Sequence, residues 1–333
     1  MHRRNVRFPA VIASTAALAL GLTACGSGDT GDASAEAASG ESETVTIEAN
    51  GGSVDVPSPA QSVVALDNRT FKLLDDWGVE LSGGAVSLMR ADVSYKENDE
   101  ILDIGSHREP NLENIVAAEP DLIISGQRFS QYNEDIADLA DAPLVDLEPR
   151  EGEDFGEELK RQVTTLGEVF DKQDEAQALA DDYDAAVERV AAAYNADETV
   201  MSVITSGGDI NYAAPSEGRT LGPVYDSLGL TPSLEVDDAS SGHQGDDISV
   251  EAIADSDPDW IFVMDRDAGV SGNSGEEYTP AEDLIAESPA LQNVTAVEED
   301  NIVYMPEYTY LDESLQTYTE FYESVADAME QGN

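Results

Sequence analysis

Three arginines occupy positions where side chains could hold an anion. Arg128 and Arg266 each follow an apolar, strand-like run, and Arg219 lies in a glycine-rich turn. A surface arginine is ordinarily a solvated charge, but cations are scarce here: after the first 24 residues only 13 remain beside 70 acidic residues. Guanidinium groups neutralise anions while donating hydrogen bonds in a fixed planar geometry. The three arginines are therefore the first candidates for an anion-binding site.

A histidine and several tyrosines are further candidates for ligand contact. His243 lies in a polar loop rich in serine and glycine, and Tyr304, Tyr308 and Tyr310 alternate around a predicted strand end. A lone loop histidine is ordinarily solvated, and a tyrosine inside an apolar run ordinarily packs in the core. Packing is the expected role of Tyr304, and residue type alone assigns no role to the others.

Motifs for catalysis and resident metals are missing from the sequence. It has no G-x-S-x-G elbow, P-loop, H-E-x-x-H or C-x-x-C motif, no calcium loop, and only 3 histidines. Paired carboxylates carry no information among 70 acidic residues, so inspection leaves a glycosidase open. The net charge of -54 excludes nucleic acid as a partner and disfavours electrostatic docking on anionic membranes.

The N-terminal residues predict export. Basic residues at positions 3, 4 and 7 precede an apolar stretch of signal-peptide length, too short to span a bilayer stably. The sequence Leu22-Thr23-Ala24-Cys25-Gly26 resembles a bacterial lipobox, and Cys25 is the only cysteine, so no intrachain disulfide can form. An ordinary secretory peptide is the alternative. We expect a signal peptide over residues 1–24, a disordered tether over 25–44, and a lipid anchor on the outer face of the cell membrane.

Strand-like and helical segments alternate along the rest of the chain. The apolar runs are Val63–Leu66, Leu122–Ser125, Leu144–Leu147, Val200–Ile204, Trp260–Met264 and Ile302–Met305. This alternation predicts an α/β architecture with largely parallel sheets. Residues 174–194 contain no glycine or proline, and apolar side chains at 179, 183, 187, 190 and 194 predict one face of a single long helix.

An internal repeat flanks this helix. Leu112–Ile123 and Val250–Ile261 share Glu, Ile, Pro, Asp and a second Ile at a constant offset of 138 residues. Five matches in register predict two similar lobes, and two lobes joined by one helix leave a cleft for a small ligand. The predicted parts are an N-terminal lobe over 45–152, a helical segment over 153–195 and a C-terminal lobe over 196–333.

Several motifs resemble those of the helix-linked class of ABC-transporter substrate-binding proteins, which deliver ferric siderophores, haem or vitamin B12. The stretch EPNLENIVAAEPDLIISG (Glu109–Gly126) carries the resemblance to the class. The stretches GRTLGPVYDSLGL (Gly218–Leu230), DPDWIFVMDR (Asp257–Arg266) and NIVYMPEYTYLDES (Asn301–Ser314) resemble the branch that binds catecholate siderophores. The similarity runs from about residue 45 to the C-terminus.

The resemblance implies ligand-binding roles for the arginines. Arg219 and Arg266 match the family positions directly, whereas the third family arginine falls at Gln127, one position before Arg128. Either of these two residues is therefore expected to line the cleft. A ferric tris-catecholate carries a charge of minus three, which guanidinium groups would neutralise while hydrogen-bonding to its oxygens.

The resemblance also assigns metal contacts and docking contacts. It places His243 and Tyr310 opposite the arginines as iron-facing residues, with Tyr308 as a neighbouring ligand contact, although the histidine loop is one residue longer than the family pattern. One glutamate per lobe, Glu113 and Glu251, is expected to dock on arginines of an ABC-transporter permease. Glu109 is the alternative for the first.

These observations predict a monomeric, non-enzymatic binding protein without a cofactor. Its expected ligand is a ferric catecholate siderophore, delivered to an ABC importer. Haem, cobalamin or a hydroxamate siderophore is the alternative ligand, and hydroxamate complexes are nearly neutral and would not need three arginines. A secreted enzyme or adhesion module on a two-lobed scaffold is the alternative from another class.

Overall fold

The structure, a computed structural model, describes residues 43–106 and 109–332. Its strands are β1 (Glu43–Ala49), β2 (Gly52–Ser58), β3 (Val63–Ala65), β4 (Leu81–Gly84), β5 (Leu102–Asp103), β6 (Gly105–Ser106), β7 (Glu109–Pro110), β8 (Leu122–Ser125), β9 (Leu144–Asp146), β10 (Val200–Ser206), β11 (Asp209–Tyr212), β12 (Trp260–Asp265) and β13 (Ile302–Tyr304). Its helices are α1 (Phe71–Asp76), α2 (Leu112–Ala117), α3 (Asn133–Leu139), α4 (Phe155–Phe170), α5 (Gln173–Ala193), α6 (Gly222–Leu228), α7 (Val250–Asp255), α8 (Ala281–Glu287), α9 (Thr295–Glu298) and α10 (Leu315–Gly332).

Two largely parallel sheets organise the chain. The first has the strand order β5-β4-β3-β8-β9, and all its pairs are parallel. The second has the order β11-β10-β12-β13, in which only the edge strand β11 runs antiparallel. The central strands β3, β8 and β10 are buried along their whole length, as expected of strands covered on both faces. The predicted α/β architecture is confirmed.

The predicted repeat corresponds to the same β-α-β unit in each sheet. In the first unit the Asp121 carboxylate accepts hydrogen bonds from the backbone N–H groups of Gln61 and Ser62, both at 2.9 Å. In the second the Asp259 carboxylate accepts from the backbone N–H of Thr199 at 2.7 Å and from its hydroxyl at 3.0 Å. Each aspartate thus fixes the residue that leads into the neighbouring parallel strand, which explains why a Pro-Asp turn stands at both places.

The predicted long helix is α5, which lies with α4 between the two sheets in sequence. Its buried stripe differs from the prediction: it consists of Ala176, Ala180, Tyr183, Ala186 and Val190. The small side chains allow close packing, since a Cβ added to Gly167 of α4 would lie 2.7 Å from the Ala176 Cβ. The larger predicted side chains at 179, 187 and 194 are only partly buried at the edge of this contact.

The sequence analysis missed the hairpin formed by β1 and β2. Its turn contains Asn50-Gly51, a strong hairpin signal between alternating residues. The Asn50 amide donates to the Glu148 carbonyl at 2.8 Å, so the hairpin is bound to the loop after β9. Strand β1 also includes residues 43 and 44, which the sequence analysis assigned to the tether.

Other predicted features of the chain ends lie outside the described residues, namely the signal peptide, Cys25 and the rest of the tether. The first sheet ends at Asp146 and the second begins at Val200, and the predicted lobe boundaries at 152 and 196 fall between them. Those boundaries stay a prediction.

Within the described residues no helix combines the length and the apolar character needed to cross a membrane.

We expect the two lobes to close only modestly on a ligand. A helix of 21 residues cannot bend like a loop hinge, and α5 is also packed on α10 through Tyr183 and Tyr322, whose ring centroids are 5.5 Å apart. Small-angle X-ray scattering with and without ligand measures the change in radius of gyration. A large decrease would contradict this expectation, and ligand-free protein at matched concentration and salt is the control.

Candidate ligand-binding site

Three of the four arginines of the site follow the carboxyl ends of parallel strands in the two sheets. Arg69 follows β3, Arg128 follows β8 and Arg266 follows β12, while Arg219 comes from the loop between β11 and α6. In α/β folds such strand ends form the edge where ligands bind. At this edge the Arg266 Nη1 donates to the hydroxyl of Ser206, the last residue of β10, at 3.3 Å.

Tyr310 lies at the centre of the three predicted arginines. The guanidinium carbon lies 5.5 Å from the centroid of the Tyr310 ring for Arg128, 5.6 Å for Arg219 and 4.7 Å for Arg266. Tyr310 is buried, and cations at these distances from an aromatic face are attracted to it. The structure therefore brings together three arginines and a tyrosine that are far apart in the sequence.

His243 lies beside the same tyrosine. Its Nδ1 is 3.2 Å from the Tyr310 hydroxyl, within hydrogen-bond distance. The His243 side chain reaches solvent, but partial desolvation, followed by repulsion from Arg219 and Arg128, lowers its pKa below the ordinary value. The ring is thus neutral at neutral pH and can accept a proton or donate a lone pair. The extra residue in its loop does not move His243 away from Tyr310.

Two adjoining cavities surround this group. The first, which we call the arginine cavity, has a volume of about 430 Å³ and is lined by Arg128, Gly242, His243, Gln244, Gly245, Arg266 and Tyr310. The second, the side chamber, has a volume of about 370 Å³, shares Arg128, Arg266 and Tyr310, and extends to Leu88, Lys96, Val270 and Leu311. Together they offer a cationic pocket next to a more apolar one.

The arginine cavity has more hydrogen-bond donors than protein groups that could accept from them. Among the described residues, the buried Nε atoms of Arg128, Arg219 and Arg266 have no hydrogen-bond partner. No described carboxylate forms an ion pair with Arg128 or with Lys96, and Lys96 donates to the Met89 carbonyl at 2.6 Å. Buried unpaired donors are unfavourable, so this arrangement suits a bound anion.

Gln127 is not one of the residues that line the arginine cavity. Its backbone has a φ of 46°, unusual for a residue other than glycine, and the side chain turns inward. There its amide nitrogen donates to the Glu313 carboxylate at 2.5 Å. Of the two residues between which the family pattern left a choice, Arg128 is the one that lines the cavity.

Tyr308 is not brought to the arginine cavity. The Arg90 guanidinium lies over its ring, 3.4 Å from the centroid, and its hydroxyl donates to Glu320. Arg90 is itself fixed by Asp312 at 2.7 Å, so the tyrosine is part of a separate polar cluster. Tyr308 lines a different cavity of about 530 Å³, which shares Gly269, Asn273 and Leu311 with the side chamber.

Glu313, Arg69 and Lys96 are site residues that the sequence analysis missed. Glu313 is buried below the arginine cavity and forms ion pairs with Arg219 at 3.0 Å and Arg69 at 3.8 Å. Burial alone would raise the pKa of Glu313, but Arg219 and Arg69 outweigh this effect and hold the pKa below its ordinary value. No sequence signal distinguishes this glutamate among so many acidic residues.

The predicted docking glutamates occupy equivalent places in the two repeat units. Glu113 is in the first turn of α2 and Glu251 in the first turn of α7, and both are exposed. Each helix has a side-chain cap, from Asn111 and Ser249. Glu109, the alternative for the first, is exposed in β7.

Sequence comparisons identify relatives over most of the chain. The chain is 25% identical over 316 residues to the petrobactin-binding protein YclQ of Bacillus subtilis. The aligned region covers 93% of this chain and 95% of that protein. It is 28% identical over 264 residues to the ferric-anguibactin-binding protein FatB of Vibrio anguillarum, which covers 78% of this chain and 79% of that protein.

Solved structures share the fold. The periplasmic catecholate-siderophore binding protein VctP of Vibrio cholerae superimposes with a TM-score of 0.73 at 24% identity, covering 87% of this chain and 100% of that one. The structure of YclQ gives a TM-score of 0.71 at 24% identity, covering 86% and 99%. The sequence pattern of the periplasmic binding protein family matches residues 63–309, which is most of the chain. The protein belongs to the periplasmic binding protein family.

Proposed function

We propose that this protein captures a ferric catecholate siderophore outside the cell membrane and delivers it to an ABC importer. The observation that carries the proposal is the placement of Arg128, Arg219 and Arg266 around Tyr310, with their Nε atoms unpaired among the described residues. The names of the relatives, which bind petrobactin and ferric anguibactin, support a siderophore as the ligand.

Charge distinguishes this ligand from the alternatives. A ferric tris-catecholate is a trianion with oxygens at its surface, and these oxygens would accept hydrogen bonds from the arginines. A ferric hydroxamate is nearly neutral, so it would leave buried cations without compensation. In a chain with a net charge of -54, a pocket lined by arginines also provides a local region to which an anion can be attracted.

Family membership implies that the protein binds its ligand rather than transforming it, and we extend this to a protein without a cofactor. We also propose that it is a monomer held at the outer face of the membrane by a lipid on Cys25. Mass spectrometry of protein extracted from a lipoprotein-processing host would detect the diacylglyceryl group on that cysteine, and Cys25→Ser is the control.

Titration with a panel of complexes tests the proposed ligand. Ferric tris- and bis-catecholates, a ferric hydroxamate, haem and cobalamin are added in turn, and quenching of tryptophan fluorescence or heat of binding is recorded. We expect submicromolar binding of the ferric catecholates only, because their negative charge would compensate the arginines of the cavity. Preference for any other member would replace the proposed ligand, and no binding by any of them would favour a different class of function.

Removing the docking glutamates is expected to reduce transport without affecting ligand affinity. Glu113→Ala and Glu251→Ala alter exposed carboxylates on equivalent helices, outside the residues that line the arginine cavity. Uptake of radioactive iron by cells that express the importer is measured beside the dissociation constant of the purified protein. Glu188→Ala, an exposed glutamate on α5, is the matched control. Loss of ligand binding in a folded Glu113 or Glu251 variant would show that these residues do not face the permease.

A further inference from the structure

One buried carboxylate, that of Glu313, forms ion pairs with two of the arginines, Arg219 and Arg69. Glu313 lies between β13 and α10, and its side chain is 5% exposed. It accepts hydrogen bonds from Arg219 at 3.0 Å and from the Thr220 hydroxyl, both on the second sheet's side of the cleft. It also accepts from Gln127, and forms an ion pair with Arg69, which follow strands of the first sheet. One carboxylate thus contacts donors from both sheets.

Hydrogen bonding alone does not require a charged group at this position. A neutral glutamine would also accept a hydrogen bond from the Thr220 hydroxyl, but it would not neutralise Arg219 or Arg69. Among the described residues, Glu313 is the only carboxylate that forms an ion pair with either of these two arginines. The negative charge of Glu313 therefore has an electrostatic effect on the site.

Glu313 is the carboxylate that forms ion pairs with two of the four arginines of this site. Arg266 has its own carboxylate partner only at 3.8 Å, from Asp267, and Arg128 has none among the described residues. Arg69 is buried, and its Nε and Nη1 atoms lack partners in the same part of the chain. Removing the negative charge of Glu313 would leave Arg219 without an ion-pair partner among the described residues and Arg69 with the nearby carboxylates of Asp67 and Glu148 only. It would therefore increase the positive potential that a ligand meets.

We propose that Glu313 is a positioning and charge-setting residue that makes the site select ferric complexes by their net charge. It holds Arg219 at the cavity and lowers the positive charge of the site by one. This inference rests on the proposed function, because it concerns how the site discriminates among ferric complexes. Glu313 itself has no place on the cavity wall and need not touch the ligand.

Two metal complexes of one ligand can distinguish the effect of the ligand's charge on affinity from the effect of its shape. A synthetic three-armed catecholamide forms an octahedral trianion with gallium(III) and a dianion with germanium(IV), and the two have nearly the same surface. Isothermal titration calorimetry gives the ratio of their affinities for each protein variant. Loss of arginine positioning would weaken both complexes by a similar factor, so the ratio reports the charge of the site.

Glu313→Gln is expected to increase the preference for the gallium complex by about ten-fold, since each additional positive charge acts more strongly on the trianion. Arg69→Gln is expected to change the ratio in the opposite direction. Thr220→Val is the control: it removes a hydrogen bond to Glu313 but no charge, so the ratio should stay within two-fold of the unmodified protein.

An unchanged ratio in folded Glu313→Gln would overturn the assignment. If that variant does not fold, Arg69→Gln decides, and an unchanged ratio there has the same consequence. Failure of the unmodified protein to bind either complex would instead overturn the proposed function, and this inference with it. Binding of both complexes with an unaltered ratio in the variants rejects only the role of Glu313.

Discussion

Replacing Arg266 by alanine is expected to weaken the binding of a ferric tris-catecholate by roughly 30-fold to several thousand-fold. The Arg266 guanidinium is the nearest of the three to the Tyr310 ring, at 4.7 Å, and its buried Nε has no partner among the described residues. Truncation would leave part of the ligand's negative charge without compensation in a partly desolvated cavity. Isothermal titration calorimetry or fluorescence quenching measures the loss.

Lysine at this position should restore only part of the affinity, because it cannot reproduce the planar, forked geometry of guanidinium. Arg219→Ala should also cause a large loss, and it would in addition leave Glu313 without its 3.0 Å partner. Arg189→Ala is the control, because Arg189 is a half-buried residue of α5 that is paired with Asp327 and Glu330. A loss of ten-fold or less for Arg266→Ala would argue against a direct contact with the ligand.

The arginine positions could be predicted because the sequence makes cations rare. In an ordinary composition Arg128 and Arg266 would be two surface arginines among many, and their position after strand ends would carry little weight. Parallel strands place their carboxyl ends at one edge of each sheet, and the strand ends of the two sheets bring the guanidinium groups of Arg128 and Arg266 to 5.5 and 4.7 Å from the Tyr310 ring. Charge scarcity drew attention to these two residues, and the family resemblance predicted that their loops lie at the cleft.

The same composition hides Glu313. With 70 acidic residues, no pattern in the sequence separates a buried carboxylate from a solvated one. Its burial depends on donors contributed by three different loops, and that arrangement exists only after both sheets have formed. Arg69 was missed for a related reason, because its partners come from distant parts of the chain.

Local backbone geometry decided the choice between Gln127 and Arg128. Gly126 packs against Asp67, where an added Cβ would lie 2.5 Å from a carboxylate oxygen, and Gln127 then adopts a positive φ. This turn directs one side chain inward and exposes the next to the cavity. This loop conformation brings Arg128 to the cavity although the family pattern has its arginine one position earlier. Sequence spacing alone could not predict that conformation.

Strand β4 shows a further limit of sequence reading. It ends in Gly83 and Gly84, and glycine is disfavoured in strands, so no run of apolar residues marks it. The absent side chains leave room for others: a Cβ on Gly83 would lie 2.9 Å from a methyl group of Ile104. Packing against distant residues therefore determines this strand.

Tyr310 and His243 are expected to bind iron directly when the siderophore leaves coordination positions open. Ferric iron prefers anionic oxygen donors; a three-armed catecholate fills its six positions, whereas a two-armed one leaves two. The Tyr310 hydroxyl and His243 Nδ1 are 3.2 Å apart. Adjacent corners of an octahedron with bonds of about 2.1 Å lie about 3 Å apart, so the two atoms can occupy neighbouring positions on one ion.

The charge state of the histidine favours this role. Desolvation and the neighbouring Arg219 and Arg128 lower the pKa of His243, so the imidazole stays neutral at neutral pH and its lone pair is available to a metal. With a two-armed ferric catecholate, a tyrosinate-to-iron charge-transfer band should therefore appear in the visible spectrum. The band should be absent in Tyr310→Phe and retained in Tyr304→Phe, a control outside the residues that line the arginine cavity.

His243→Ala should weaken the two-armed complex by about ten-fold or more and leave the three-armed complex nearly unaffected, because only the former requires a protein ligand to complete the coordination sphere. Dissociation constants for both complexes, measured on the same protein preparations, give the comparison. Equal losses for the two ligand types would mean that His243 contributes through general contacts in the cavity. No loss for either, together with a spectrum unchanged by Tyr310→Phe, would show that both side chains remain outside the coordination sphere of the iron.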